Sequence, residues 1–266
     1  MRHHTPHLFA NFLTISLLLY HNLPLHFYPM DLHNKTLLII SPHPDDEILG
    51  CGGFIKKIKD NGGKVYVLFL TIGDTIEFTA HEAYSTQEQR LLEIQQVATF
   101  LKYDGWTVAF PGNQHHLRLD VMPQADIITA IENGPQVSIE QIHPDIVATT
   151  QLSDYNQDHR AACMATITAC RPSPYNAKGK IRAVLGYEFT ATVGSGFEPH
   201  LERNFFVQLS EDDIETKITA MTLYGSQVRE KTHTRSLENM RNLAMLRGTM
   251  CGANFAEGFH CYRLAV

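Results

Sequence analysis

The segment SPHPDDEILGCGG, residues 41–53, places one imidazole and three carboxylates, His43, Asp45, Asp46 and Glu47, within five positions. A second polar cluster, DYNQDHR at residues 154–160, adds Asp154, Asp158 and His159. Two imidazoles and one carboxylate form a three-ligand set suited to catalytic zinc, with water in the fourth position. If one carboxylate of the Asp45–Asp46 pair binds metal, the other is left to take a proton from that water. The same residues also have a reading without metal. Proline fixes φ ahead of a turn, and an aspartate side chain caps the helix that follows. Asp158 would likewise cap a helix starting at DHR. Capping accounts for one aspartate of the first cluster, not two, and gives His43 no task. GCGG lacks both G-x-G-x-x-G and a Walker lysine, so a phosphate-cradling loop is set aside. On residue types alone the metal and capping readings both stay open.

Each cluster follows an apolar run. NKTLLIIS reads as a first strand, continuously apolar as in a parallel sheet covered on both faces. ILGCGGFIKKIKDNGG reads as a helix ended by Asn61, Gly62 and Gly63, and KVYVLFLTIG as a second strand, which completes a βαβ unit. STQEQRLLEIQQVATFLK reads as a longer helix with an apolar stripe of Leu91, Ile94, Ala98 and Leu101 and a capping box of Ser85 and Glu88. WTVAFPG, HPDIVATT and AVLGYEFTA read as strands. Helical patterns surround ADIITAIENG, RAACMATITACR, DDIETKITAMTLYGSQ and RSLENMRNLAMLRGTM. The alternation predicts an α/β domain of Rossmann-like, doubly wound type, with a mostly parallel sheet and helices on both faces. In such a sheet, ligands bind beyond the carboxyl ends of the strands, so both polar clusters project to the same edge.

The composition is that of an ordinary globular protein: 266 residues, 44% hydrophobic and 19% charged, with a net charge of −6. No clustered basic face stands out, which argues against nucleic acid as a partner. Five cysteines, an odd number and none spaced as CxxC, argue against a disulfide framework and for a reducing, cytoplasmic location. The most apolar run, LFANFLTISLLLY at residues 8–20, is shorter than the roughly 20 residues of a membrane span. Residues 1–30 have three readings: an extension upstream of a start at Met30, a weak membrane-tethering segment, or an uncleaved signal. Membrane association enters only through residues 8–20. Residues 31–266 are expected to form a single domain.

S-P-H-P-D-D-E-I-L-G-C-G-G resembles the signature of the PIG-L/LmbE family of zinc-dependent N-acetylglucosaminyl deacetylases, and N-Q-D-H-R resembles that family's second metal motif. Further matches follow in order: LTIGD after the second strand, Arg90 and Glu93 in the long helix, HPDIV before the second motif, and RG…G…FAEGF near the C-terminus. Together they cover roughly residues 35–263. The resemblance implies hydrolysis of an acetamide on an amino sugar, with a small-molecule or glycoconjugate substrate. It implies zinc, or another divalent ion such as Fe2+, held by His43, Asp46 and His159. Asp45 would be the general base, Asp158 a partner steering the base or a neighbouring imidazole, and Arg90 a residue near the substrate. Glu47 would support the loop and helix start.

The chain departs from the family at one position. Many members have His-Pro-Asp-His where this chain has Asn156-Gln157-Asp158-His159. Asn156 cannot act as an acid, although its amide can donate a hydrogen bond. The proton donor is then Asp45 itself or another histidine, with His116 and His233 as candidates. Each of these histidines also reads as a structural or solvated residue, and so do Asp120 and Glu257 as site neighbours. Two alternatives stand beside the sugar deacetylase: an amidase of the same fold acting on a non-sugar amide, and a non-catalytic sugar-binding homologue. No motif encodes the carrier of the sugar or the oligomeric state.

Overall fold

The computed structural model describes residues 30–76, 84–193 and 201–265. Leu32–Val266 forms one compact unit. Its core element is β1 (Thr36–Ser41), in which Leu37, Leu38, Ile39 and Ile40 are all fully buried. Such a run needs cover on both faces, and the sheet provides it. The strands stand in the order β5-β2-β1-β6-β7-β9-β8. The first five, β5 (Gly105–Pro111), β2 (Lys64–Ile72), β1, β6 (Ile146–Thr149) and β7 (Ala183–Tyr187), are mutually parallel. This is the mostly parallel α/β sheet that the alternating pattern predicts.

The sequence reading assigns no strand beyond AVLGYEFTA, and the structure adds two. β8 (Phe205–Leu209) and β9 (Phe255–Leu264) close the edge in antiparallel pairings, β9 with β7 and β8 with β9. A short antiparallel pair, β3 (Thr75–Ile76) with β4 (Tyr84–Ser85), lies apart from the main sheet.

Helices cover the two faces. α1 (Asp46–Asp60) follows β1 and lies over β7, β8 and α6 (Glu211–Leu223). The glycines of GCGG belong to this packing. A Cβ on Gly50 would fall 2.2 Å from Cδ2 of the buried Tyr187 ring, and one on Gly53 would fall 2.5 Å from Leu209 Cδ1. On the other face Leu38, Ile40, Leu68 and Val147 share one core with Ile127 and Ile131 of α3 (Gln124–Asn133) and Ala161, Ala165 and Ala169 of α5 (Gln157–Ala169). α2 (Gln87–Leu101) and the one-turn α4 (Ile139–Ile142) complete the crossovers, and α7 (Leu237–Cys251) precedes β9.

The expected capping box at Ser85 and Glu88 is not formed. Thr86 is the cap, its hydroxyl accepting from Gln89 N at 3.2 Å, while Ser85 is drawn into β4. All five cysteines are free thiols. No described helix is long and apolar enough to cross a membrane. Residues 8–20 lie outside the described residues.

Candidate metal centre and active site

The chain runs outward from β1 to β2 and β5, then returns to β6 on the other side of β1. β1 and β6 are therefore adjacent strands at which the winding reverses, the place where such sheets form a crevice beyond their carboxyl ends. HPDDE leaves β1 there, and the segment ending in DYNQDHR leaves β6. Two loops 115 residues apart are thus brought face to face.

Capping does not account for either cluster. Asp45 holds the cap position of α1 but makes no side-chain cap bond. α5 is capped by Asn156, whose Oδ1 accepts from Asp158 N at 2.9 Å, and not by Asp158. Both aspartates are free for other work, and both are buried, Asp45 at 3% and Asp158 at 0% exposure.

Three side chains converge. Asp46 Oδ2 lies 3.2 Å from His43 Nδ1 and 3.2 Å from His159 Nε2. One ligand atom from each of the three residues lies within 4.8 Å of the other two, near enough for one ion to share. The outward nitrogens are held as well. His43 Nε2 donates to Asp158 Oδ2 at 3.0 Å, and His159 Nδ1 donates to Asp154 Oδ2 at 2.6 Å. A carboxylate can only accept, so each bond keeps a proton on the outer nitrogen, and the inner nitrogen presents a lone pair to an ion once its own proton is displaced. Two inward imidazole lone pairs and one carboxylate fit an open, three-ligand zinc site. Burial pushes the Asp46 carboxyl up, but the charges and hydrogen bonds of His159 and His43 outweigh it and hold Asp46 below the ordinary range. Burial lowers His159, yet Asp46 and then Asp154 carry it to about 10. A metal entering here displaces protons.

Asp45 stands beside this cluster in a conformation few L-residues adopt, with φ +105°. A buried brace maintains it. Asp45 N donates to Glu47 Oε2 at 3.1 Å, and Tyr224 and Tyr103 donate their hydroxyls to Glu47 Oε1 at 2.6 and 3.4 Å. Backbone strain of this kind costs about 1–3 kcal/mol and persists only where the surroundings over-determine it. Burial and the neighbouring Asp46 charge raise the Asp45 carboxyl to about 6, against the pull of Arg235 and Arg90. Burial also raises Glu47, to about 8.

A cleft of about 300 Å³ opens over Asp45, and Arg90, His116, Asn156 and His233 all line it. The structure thus gathers the predicted ligands, base and cleft residues in one place, with Asp158 directly behind His43, whereas Asp120 and Glu257 are not among the residues lining the cleft. Arg90 is 3% exposed, and its guanidinium is tied to the Pro44 carbonyl at 2.7 Å and Thr75 Oγ1 at 3.3 Å. His116 has Thr71 Oγ1 at 3.4 Å from Nδ1 and Thr75 Oγ1 at 3.0 Å from Nε2. Burial and the nearby His43 lower it to about 3, which keeps it neutral and suits it to hydrogen bonding rather than acid catalysis. His233 Nδ1 accepts from Arg235 N at 3.0 Å. Glu257 lies elsewhere: it accepts from Lys217 at 2.6 Å and from Gly53 N and Phe54 N of α1, a packing role.

The model of the PIG-L family, described as GlcNAc-PI de-N-acetylase, matches residues 38–170, half of the chain. The chain belongs to the PIG-L family. Diacetylchitobiose deacetylase of Thermococcus kodakarensis is 28% identical over 234 residues, covering 84% of this chain and 82% of that one. The fold is shared with the N,N'-diacetylchitobiose deacetylase of Pyrococcus horikoshii, with a TM-score of 0.62 at 23% identity over 88% of each chain. It is shared as well with the 4-carboxy-2-hydroxymuconate hydratase of Pseudomonas putida, with a TM-score of 0.66 at 17% identity over 87% of this chain and 98% of that one. The matched stretch spans both polar clusters, residues 41–53 and 154–160.

Two residues of the site carry no assigned task in the sequence reading. Asp154 belongs to the quoted second cluster, and its spacing of five from His159 is the signal that would have found it. Arg235, whose Nη1 lies 3.5 Å from Asp45 Oδ2 and 2.9 Å from Gln227 Oε1, is 190 residues away from Asp45 in a loop with no recognisable spacing.

Proposed function

We propose that the protein is a zinc-dependent hydrolase that removes the acetyl group from an N-acetylated amino sugar and releases acetate. The observation that carries this reading is the juxtaposition of the His43–Asp46–His159 group with an uncapped, buried Asp45, in a chain of the PIG-L family. His43, Asp46 and His159 would hold the ion. An ion such as zinc bound there would supply a Lewis acid, able to lower the pKa of water to about 7 and polarise an acyl oxygen.

The remaining work falls to the chain's own groups. Asp45, raised to about 6 and thus largely ionised at neutral pH, takes a proton from the attacking water. Water oxygen bonds to the acetyl carbon, and the carbonyl electrons move onto the acyl oxygen. The Asn156 amide donates to that oxygen; one such donor is worth roughly 3–4 kcal/mol in acyl transfer. Asp45 then returns its proton to the nitrogen, the C–N bond breaks, and acetate and the free amine leave. Asp158 and Asp154 keep the two imidazoles oriented. Arg90, His116 and His233 shape the cleft that receives the sugar.

The fold also carries a hydratase, so fold alone does not select the reaction. The test is acetate release from a panel of N-acetyl sugars and non-sugar acetamides, with and without chelator. Chelator-sensitive release from N-acetylglucosamine or its oligomers is expected. Release only from non-sugar acetamides selects the amidase reading. No release from any substrate, with no bound metal, selects the non-catalytic one.

A further inference from the structure

One requirement of amide hydrolysis is thinly met by the groups named so far. Negative charge develops on the acyl oxygen, and Asn156 offers a neutral amide whose Oδ1 is already engaged as the cap of α5. Among the described residues lining the cleft, the permanent cations are Arg90 and Arg235. Arg90 is turned into the protein, against Pro44 and Thr75. The Arg235 side chain keeps 27% of its surface and faces Asp45 across the cleft.

Arg235 is also held in place. Its Nη1 donates to Oε1 of Gln227, a residue only 3% exposed. Its backbone N donates to His233, the following Ser236 caps α7 by accepting from Asn239 N, and Asn239 Nδ2 donates back to the His233 carbonyl. A guanidinium fixed before substrate arrives needs no reorganisation when charge appears. Its Nη1 lies 3.5 Å from Asp45 Oδ2, which sets the guanidinium beside the base.

We propose that Arg235 is a further catalytic residue, whose guanidinium donates to the acyl oxygen as the tetrahedral state forms. This rests on the deacetylase reading above. Water activated by Asp45 attacks a carbonyl whose oxygen must lie within a few ångströms of that base, which is where Arg235 reaches. An arginine is not deprotonated in proteins, so it stabilises charge and supplies no proton. The proton for the departing amine therefore stays with Asp45, and the position of the family's missing histidine is answered by two groups: a fixed cation for the oxyanion and a recycled proton for the nitrogen.

The experiment uses the zinc-loaded full chain with N,N'-diacetylchitobiose and with its analogue bearing a methylphosphonamidate in place of the acetamide, a mimic of the tetrahedral state. Arg235→Gln is expected to lower kcat about 10²–10³-fold, with KM within threefold and zinc content unchanged. Affinity for the phosphonamidate should fall with kcat/KM, while affinity for the free glucosamine product holds. Arg235→Lys should recover part of both losses, and serves if the glutamine variant folds poorly. Undiminished phosphonamidate affinity alongside a lowered kcat would show that Arg235 acts only on Asp45, and unchanged kcat would remove it from the reaction; either result overturns the proposal. A wild type that releases no acetate from any N-acetyl sugar overturns the deacetylase reading itself.

Discussion

Replacing Asp154 with asparagine should weaken metal binding without unfolding the protein. Asp154 is 1% exposed, and its two oxygens have different partners: Oδ2 accepts from His159 Nδ1 at 2.6 Å, and Oδ1 accepts from Asn156 N at 2.9 Å. Asparagine has one oxygen and one NH2, so no flip of the amide can satisfy both donors. Either the imidazole loses its partner or the loop before α5 does, and in both cases the negative charge behind His159 is gone. Loss of such a partner typically lowers metal affinity 10–100-fold, or about 1.4–2.8 kcal/mol. Asp154→Ala removes both acceptors and should lower thermal stability as well, since each buried donor left unpaired costs about 1–3 kcal/mol. The assay is zinc competition against a chromophoric chelator at fixed pH, with Tm recorded with and without metal. Glu257→Gln, a buried carboxylate outside the cleft, is the control that should change Tm and not zinc affinity. Zinc held by Asp154→Asn within twofold of wild type would refute the reasoning that this carboxylate orients His159.

Other substitutions separate the remaining roles. Asp45→Asn should keep zinc yet lower kcat by about 10²–10⁴-fold, as expected when a general base is removed; near-normal turnover would remove Asp45 from that role. Asn156→Ala should lower kcat more than it raises KM and lower stability by about 1 kcal/mol through the lost cap, whereas Asn156→Asp should keep the cap and the stability. A pure KM effect for Asn156→Ala would place the amide in ground-state binding. Gly50→Ala forces a methyl into the Tyr187 ring, whose hydroxyl is tied to the Ile40 carbonyl at 3.2 Å and which is fully buried. It should cost about 1–3 kcal/mol and lower Tm by about 2–4 °C for each kcal/mol; an unchanged Tm would contradict the packing account of GCGG.

What could be read from the sequence follows from how local each signal is. β1, β2 and β6 announce themselves because strands buried on both faces are continuously apolar. β9 does not, because Gly258 and the buried Glu257 interrupt its apolar character, and Glu257 is tolerated only through Lys217 and the α1 amides, partners distant in sequence. The choice of Thr86 over Ser85 as a cap was likewise decided by a contact outside the helix, the pairing of Ser85 with Thr75. In the site, His43, Asp45 and Asp46 are legible as a cluster within one turn. Their convergence with His159 depends on β1 and β6 being neighbours; the βαβ alternation puts both clusters at one edge of the sheet but does not fix that strand order. Whether an aspartate caps or faces the cleft is not legible, since both uses draw on the same residue type; only the missing cap bond at Asp45 and the filled one at Asn156 separate them. Arg235 gave no signal because one arginine in a polar loop carries no periodicity.

The measurement that bears most directly on the account is diffraction from zinc-loaded crystals at wavelengths on either side of the zinc absorption edge. One anomalous peak per chain is expected, about 2.0–2.2 Å from His43 Nδ1, Asp46 Oδ2 and His159 Nε2, with the Asp45 carboxylate beside it and not bound to it. A peak elsewhere, a peak coordinated by Asp45, or none at this cluster under conditions where the protein releases acetate would contradict the account.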